Sequence, residues 1–433
     1  MQREEFKKII IDQNEEIRQI FENEEFIQRD IPDLLRFLKH PNILAIIGIR
    51  RGGKSTLSNQ LLMNKTYAYV NFDDERFIDV VTKDLNTLLE ALYEIFGKDL
   101  EYFLFDEIQN IEGWELFIAR LRRTKRVLIT GSNAKLLSGE LATHLTGRYI
   151  DFVLFPFSFK EHLIFNNVKI KENNNYTTAE ISELKRNLSL YIEQGGLPEV
   201  YKSGKLILPR IYKDIIVKDA VVRYGIRHRK AFGELAKYVV SNFACEITFN
   251  KLKKITAVKN IHTVKNYIDY LSTIYLIVVL ERYSPKLKSQ IMAPKKVYCL
   301  DTGIANSIGF SISENRGRLI ENLVAIELFR KSSYWDPSIE IFYWKDHRQN
   351  EVDFIIKEGS LVKELIQVCY DISNQDTIKR ELESLCLASK QLDCDKLILI
   401  NMDIEEKMIF KDMEINCIPL WKWLLTSQQY SSN

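Results

Sequence analysis

Three short stretches carry residue types that could do chemistry. The first is Gly48-Ile49-Arg50-Arg51-Gly52-Gly53-Lys54-Ser55, followed by Thr56, which fits GxxxxGK[ST] without a gap. Glycines let backbone N–H groups turn inward around phosphate oxygens, Lys54 adds a mobile positive charge, and the Ser55 hydroxyl can ligate magnesium. A helix opening at Lys54 directs its positive end at the bound anion. The second is Tyr102-Phe103-Leu104-Phe105-Asp106-Glu107, an apolar strand ending in two acids. Asp106 suits a magnesium ligand, and Glu107 suits a general base that polarises water. The third is Val127-Leu128-Ile129-Thr130-Gly131-Ser132-Asn133, where Ser132 or Asn133 at a strand tip could sense a γ-phosphate and orient water.

These residues need a frame that brings strand ends together. Apolar runs at 42–47, 67–72, 102–105, 127–130 and 149–154 read as strands, and 55–63, 85–96 and 114–123 have helical periodicity. Strands alternating with helices imply right-handed βαβ units around a parallel sheet, with the acidic strand tip beside the cradle. Residues 1–40 read as helical and a further helix is expected between Asn133 and Arg148. Beyond Pro156 the pattern is mostly helical to 245, broken at Gln194-Gly195-Gly196-Leu197-Pro198. From about 316 it returns to mixed α/β: a helix at 317–329, strands at 339–344, 351–357, 362–369 and 396–401, and a helix at 375–390. The predicted divisions are 1–155, 156–245, 246–315 and 316–433.

Composition narrows the partners. The chain has 433 residues, 46% hydrophobic and 28% charged, the balance of a folded globular protein. Lys plus Arg is 61 against 59 for Asp plus Glu, so a nucleic-acid surface must be local. The six cysteines show neither zinc-ligand spacing nor a CxxC pair, and read as reduced thiols. The amino-terminal stretch lacks a signal-peptide core, and no apolar run approaches a membrane span. The expectation is a cytoplasmic protein without a membrane partner.

The local basic stretch is 231–300, with eleven Lys and Arg against four acids. Thr248 can cap a short helix through Ile255. A second helix starts near His262 and buries Val264, Tyr267, Ile268 and Leu271. A hairpin over 278–300 carries the basic tip Pro285-Lys286-Leu287-Lys288. Two helices and a basic hairpin resemble a winged helix, which would offer Lys265, Asn266 and Asp269 to a major groove and Lys286 and Lys288 to phosphates. The alternative is an interdomain packing element whose lysines face solvent.

The last region resembles the PD-(D/E)xK nuclease fold, with Glu321 on a helix and Asp353 on a strand. In that fold the next strand supplies a further acid and a lysine. Here Gln367 and Cys369 stand at those positions. An amide is a weak metal ligand and a thiol cannot replace an ammonium facing a phosphorane, so the expectation is a degenerate site that does not cleave. Glu364 is a substitute acid, and nothing in the sequence pattern replaces the lysine.

The order of cradle strand, acid strand, polar-tipped strand, helix and Gly147-Arg148 is similar to the AAA+ superfamily. The resemblance implies ATP as the nucleotide, magnesium as cofactor, and Arg148 as an arginine finger that reaches a neighbouring subunit, hence a homo-oligomer. Further stretches, namely Tyr69-Val70-Asn71-Phe72-Asp73-Asp74-Glu75, Phe105-Asp106-Glu107-Ile108-Gln109, Thr130-Gly131-Ser132-Asn133-Ala134, Phe155-Pro156-Phe157-Ser158-Phe159, Asp214-Ile215-Ile216, Asp301-Thr302-Gly303 and Glu351-Val352-Asp353-Phe354, resemble an archaeal and bacterial AAA+-type P-loop ATPase family with a carboxy-terminal nuclease-like domain. The implied function is a magnesium-dependent ATP-hydrolysing switch or motor acting on or near double-stranded DNA. Two competing functions are a nucleotide-gated switch with little turnover and an ATP-regulated DNA nuclease. A non-enzymatic transcription factor is a third.

Overall fold

The computed structural model describes residues 1–39, 42–133, 147–171, 175–256, 258, 260–309 and 316–426. The helix expected between Asn133 and Arg148, and the boundary at 315, lie outside the described residues. The chain forms two compact units: Met1–Phe155 with Thr273–Tyr275, and Pro156–Ser272 with Leu276–Asn433.

The first unit begins with α1 (Arg3–Asn23) and alternates thereafter: β1 (Ile43–Ile47), α2 (Lys54–Leu62), β2 (Tyr67–Asn71), α3 (Leu85–Phe96), β3 (Tyr102–Asp106), α4 (Trp114–Leu121), β4 (Arg126–Gly131) and β5 (Tyr149–Val153). All five strands pair in parallel in the order β2-β3-β4-β1-β5. The reason lies in the residues. β1 is Ile-Leu-Ala-Ile-Ile and buried along its whole length, as a strand covered on both faces must be. Amphipathic α3 turns Leu88, Ala91 and Leu92 inward onto the aromatic core of Phe103 and Phe105. One expectation changes. The acidic strand β3 is not the immediate neighbour of β1, because β4 stands between them.

The second unit opens with α5 (Phe159–Phe165), α6 (Thr178–Gln194), α7 (Pro198–Ser203) and α8 (Leu208–Asp214), then a π-helix over Ile215–Val222 and α9 (Arg229–Ser241). Next come β6 (Cys245–Ile247), α10 (Phe249–Ile255), α11 (Ile261–Thr273), β7 (Ile277–Leu280), α12 (Leu287–Met292) and β8 (Lys295–Cys299). The strands form a small antiparallel sheet, β6-β8-β7. Thr248 caps α10 by accepting from the Lys251 N–H, as its position predicts. The basic hairpin tip is not a plain turn: it holds the six-residue helix α12.

After α13 (Thr302–Ile308) and α14 (Arg316–Tyr334) the chain builds a six-stranded mixed sheet. Its strands are β9 (Ile339–Lys345), β10 (Glu351–Glu358), β11 (Leu361–Val368), β12 (Leu397–Asn401), β13 (Glu406–Phe410) and β14 (Met413–Pro419). They lie in the order β13-β14-β12-β11-β10-β9, with α15 (Gln375–Leu392) between β11 and β12 in the chain and α16 (Leu420–Thr426) after β14. No helix among the described residues is long and apolar enough to cross a membrane.

Candidate nucleotide site

The cradle is built by backbone demands that only certain residues meet. Gly48 has φ 147°, and a Cβ there would lie 2.4 Å from the Leu154 carbonyl oxygen, so β5 closes against the loop with no room for a side chain. Gly53 has φ 87° and stands at the amino cap of α2, while Arg51 takes the left-handed conformation at φ 65°. Gly52 donates to the Ile49 carbonyl at 3.1 Å and closes the turn. Lys54, only 5% exposed, folds back so that its ammonium donates to the carbonyls of Gly48 (3.2 Å) and Ile49 (3.0 Å). Ser55 and Thr56 are half-buried in the first turn of α2, Arg50 is half-buried and Arg51 exposed.

Asp106, 4% exposed, ends β3 on the side of the sheet where β1 delivers the cradle. Two hydroxyls hold its carboxylate: Tyr69 donates to Oδ2 at 3.3 Å, and Thr130 donates to Oδ1. Burial, followed by the charge of Asp106, drives the Tyr69 phenol far above its ordinary pKa, so it acts here only as a donor. Glu107 turns off the strand at φ 51°, and its N–H donates to the Thr130 hydroxyl at 3.2 Å. Gln109 donates to the Glu107 carboxylate through its side-chain amide. Ser132 and Asn133 follow β4 and are buried at 1% and 2% exposure. Thr130, Tyr69 and Gln109 carried no assigned role at the sequence level. A hydroxyl inside the apolar run Val-Leu-Ile-Thr was the available signal for the first.

Arg148 is exposed at the other end of the sheet. Its carbonyl accepts from the Ile43 N–H, at the start of β1, whereas the cradle follows Ile47. At ~3.3 Å per residue that offset is roughly 16 Å along β5, so Arg148 cannot serve the site of its own chain. It lies near Arg122, whose pKa is lowered by burial first and by Arg148 and Arg123 after it.

In the second unit Lys265 is exposed on α11, with its ammonium 5.4 Å from the centre of the Phe249 ring. Lys286 and Lys288 are exposed at the start of α12. Among the described basic residues of this stretch, Lys295 and Lys296 are buried. Lys295 pairs with Glu281 at 2.8 Å, and Lys296 is 2% exposed.

Lys296 gathers the acids of the carboxy-terminal region around one buried cation. From β8 its ammonium reaches Glu321 (2.9 Å), Glu351 (2.5 Å) and Asp353 (3.0 Å). A lysine from β8, rather than from β11, thus stands among these acids. Tyr298 donates to Glu321 at 2.7 Å, and the Val368 N–H donates to Asp353 at 3.0 Å. Burial and then Asp353 push Glu321 up to about 7. For Lys296 the attraction of Glu321 and its neighbours overcomes burial and holds the ammonium charged. Gln367 joins the group, accepting from the Asp353 N–H at 3.3 Å and donating to Glu381 at 2.6 Å. Cys369 turns instead into the apolar core of the sheet, its thiol donating to the Asp371 carbonyl. Glu364, the substitute acid, pairs with Lys396 away from this group.

The chain is 36% identical to the uncharacterized protein MJ1544 of Methanocaldococcus jannaschii, over 97% of its own length and 95% of the relative's. It belongs to the family of that archaeal protein. An uncharacterized protein of Haemophilus influenzae is also similar, 28% identical over 79% of this chain and 86% of its own. Residues 40–163 match the family model described as AAA domain, which spans the cradle, Asp106–Glu107 and Arg148. Residues 185–315 and 316–423 match two models described as domains of unknown function, DUF8612 and DUF4143. Among solved structures, the Walker-type ATPase PABY2304 of Pyrococcus abyssi is similar at 14% identity and a TM-score of 0.40, over 63% of this chain and 92% of that one. The chain therefore carries an AAA-type P-loop domain of α/β class, followed by helical and sheet-containing regions.

Proposed function

We propose that this protein is a magnesium-dependent ATP-hydrolysing switch or motor that works on double-stranded DNA in the cytoplasm. One observation carries the reading: a glycine loop with Lys54 at the head of α2 shares one parallel sheet with buried Asp106 and the outturned Glu107. The loop fits a triphosphate because Gly48 and Gly53 adopt conformations and approaches that side chains would block. Its donor set also fits magnesium, with a hydroxyl from Ser55 and a carboxylate from Asp106, both oxygen ligands. A magnesium ion held by Ser55 and Asp106 would supply positive charge against the phosphates.

The chain's own residues do the rest. Amides of 48–55 and Lys54 bind phosphates, and Thr130 and Tyr69 fix the Asp106 carboxylate. Gln109 orients Glu107, which accepts a proton from the attacking water. Ser132 or Asn133 contacts the γ-phosphate. Arg148 completes the site of a second copy, since it lies far from its own.

The β6-β8-β7 sheet with α10 and α11 supports a winged-helix reading, in which Lys265, Lys286 and Lys288 meet DNA. The 316–433 region is read as a degenerate nuclease-like fold, with Lys296 holding by its own charge the carboxylates that a divalent cation would need. Phosphate release by wild type and Glu107→Gln, with and without duplex DNA, tests the whole reading. Equal release by both proteins would refute the hydrolytic site.

A further inference from the structure

The segment between the π-helix and α9 reads Arg223-Tyr224-Gly225-Ile226-Arg227-His228-Arg229-Lys230. Four of its eight residues are Arg or Lys, and no acid occurs between Asp219 and Glu234. Arg227, His228, Arg229 and Lys230 are all exposed. The turn is held in shape: the Tyr224 N–H donates to the Ala220 carbonyl at 2.9 Å, and the Ile226 N–H to the Val221 carbonyl at 3.0 Å. Gly225 at φ 57° makes the reversal.

Two ring contacts tie this turn to α11. Tyr224 stacks on Tyr270 with centroids 4.1 Å apart and planes 7° from parallel, and Phe232 meets Tyr267 edge-on at 5.1 Å. α11 exposes His262, Lys265 and Asn266. The basic turn therefore packs directly against the helix read above as meeting a major groove. Charge placement also runs against helix stability. Arg229 and Lys230 occupy the first turn of α9, where the helix dipole disfavours cations, and that turn holds no acid. Only the long contact of Lys230 with Glu234, at 4.0 Å, lies nearby.

We infer that Arg227, Arg229 and Lys230, carried by this turn, form a phosphate-tracking strip beside α11 that binds the backbone of double-stranded DNA. The inference rests on the DNA reading proposed above and adds a contact region that reading does not contain. A duplex suits the strip better than a single strand. Tyr224 and Tyr270 stack on each other, which uses ring faces that unpaired bases would need. Guanidinium groups on a shaped turn beside an exposed helix match a backbone flanking a groove.

The test is fluorescence anisotropy of a short labelled duplex with the full-length protein at several salt concentrations. The charge-reversal triple Arg227→Glu/Arg229→Glu/Lys230→Glu should weaken binding by at least about tenfold, and the dependence of log affinity on log salt should flatten by roughly 2–3. Arg227→Lys/Arg229→Lys should retain most of the binding, which separates lost charge from a damaged fold. A wild type that binds duplex and loses affinity with Lys286→Glu/Lys288→Glu, but not with the triple, overturns the strip and leaves the DNA reading intact. A wild type that binds no duplex removes both. Preference of the strip for single-stranded DNA or for anionic vesicles over duplex also overturns it.

Discussion

The Lys296 ammonium lies 3.0 Å from an Asp353 carboxylate oxygen, with both side chains almost wholly buried. The two residues come from different sheets of the second unit, β8 and β10, so the ion pair joins the middle segment to the carboxy-terminal fold. Glu321 and Glu351 complete a cage of three acids around one cation. Removing one partner of a buried pair strands the others, and typically costs about 3–5 kcal/mol. Lys296→Met is therefore expected to lower stability by about that amount in chemical denaturation. Adding Glu321→Gln and Asp353→Asn should recover part of the loss, because the uncompensated charges disappear.

Glu107→Gln is expected to bind ATP and release phosphate at least about a hundredfold more slowly, since a positioned base contributes on that scale. Lys54→Ala should lose binding itself. Isothermal titration with ATP and magnesium, run beside a phosphate-release assay, separates the two.

Thr130 bridges Asp106 and the Glu107 backbone from the intervening strand β4. Thr130→Ala leaves a buried carboxylate with one donor fewer, a loss of about 1–3 kcal/mol. Thr130→Ser keeps the hydroxyl and is expected to restore most of both stability and hydrolysis. Thermal melts and rates on the same preparations test this.

Arg148 lies at the far end of β5 from its own cradle. If it acts on a neighbour, activity per subunit rises with protein concentration. A mixture of Arg148→Ala with Glu107→Gln should also regain part of the rate that each lacks alone, because some interfaces pair an intact site with an intact finger. A concentration-independent rate and no recovery on mixing would exclude the intersubunit role.

His162 is buried, with Nδ1 2.8 Å from the Tyr201 hydroxyl, and burial lowers its pKa to about 4. The folded protein thus holds a neutral ring that the unfolded chain protonates below about 6.5. Stability from this group is complete above pH 6.5 and drains as pH falls toward 4, by roughly 3 kcal/mol at most. Asp301 opposes it: burial raises that carboxyl to about 6, favouring the fold toward acid. The difference in stability between wild type and His162→Gln across pH 4–7 isolates the histidine, and a flat difference would disprove its burial.

The first unit was largely legible because three of its five strands are short apolar runs that end in a chemical signal: Gly48 after Ile47, Asp106 after Phe105, Ser132 after Gly131. Strand order was not legible, since nothing in β3 or β4 names its neighbour, and Thr130 therefore escaped as the bridging residue. Lys296 escaped for a related reason. It sits 57 residues from Asp353 in a stretch dense with surface lysines, and only the folding of β8 against α14 and β10 distinguishes it. The edge strand β13 was missed because exposed Glu406, Lys407 and Ile409 give it little apolar alternation.

A side chain at Gly48 would collide with the Leu154 carbonyl whether or not a ligand is bound. A descendant of this chain that had given up nucleotide altogether would still be obliged to keep glycine there, or else pry β5 away from its seat. Variation at Lys54 or Ser55 is consequently the more informative record of lost chemistry, whereas an intact Gly48 testifies only to architecture.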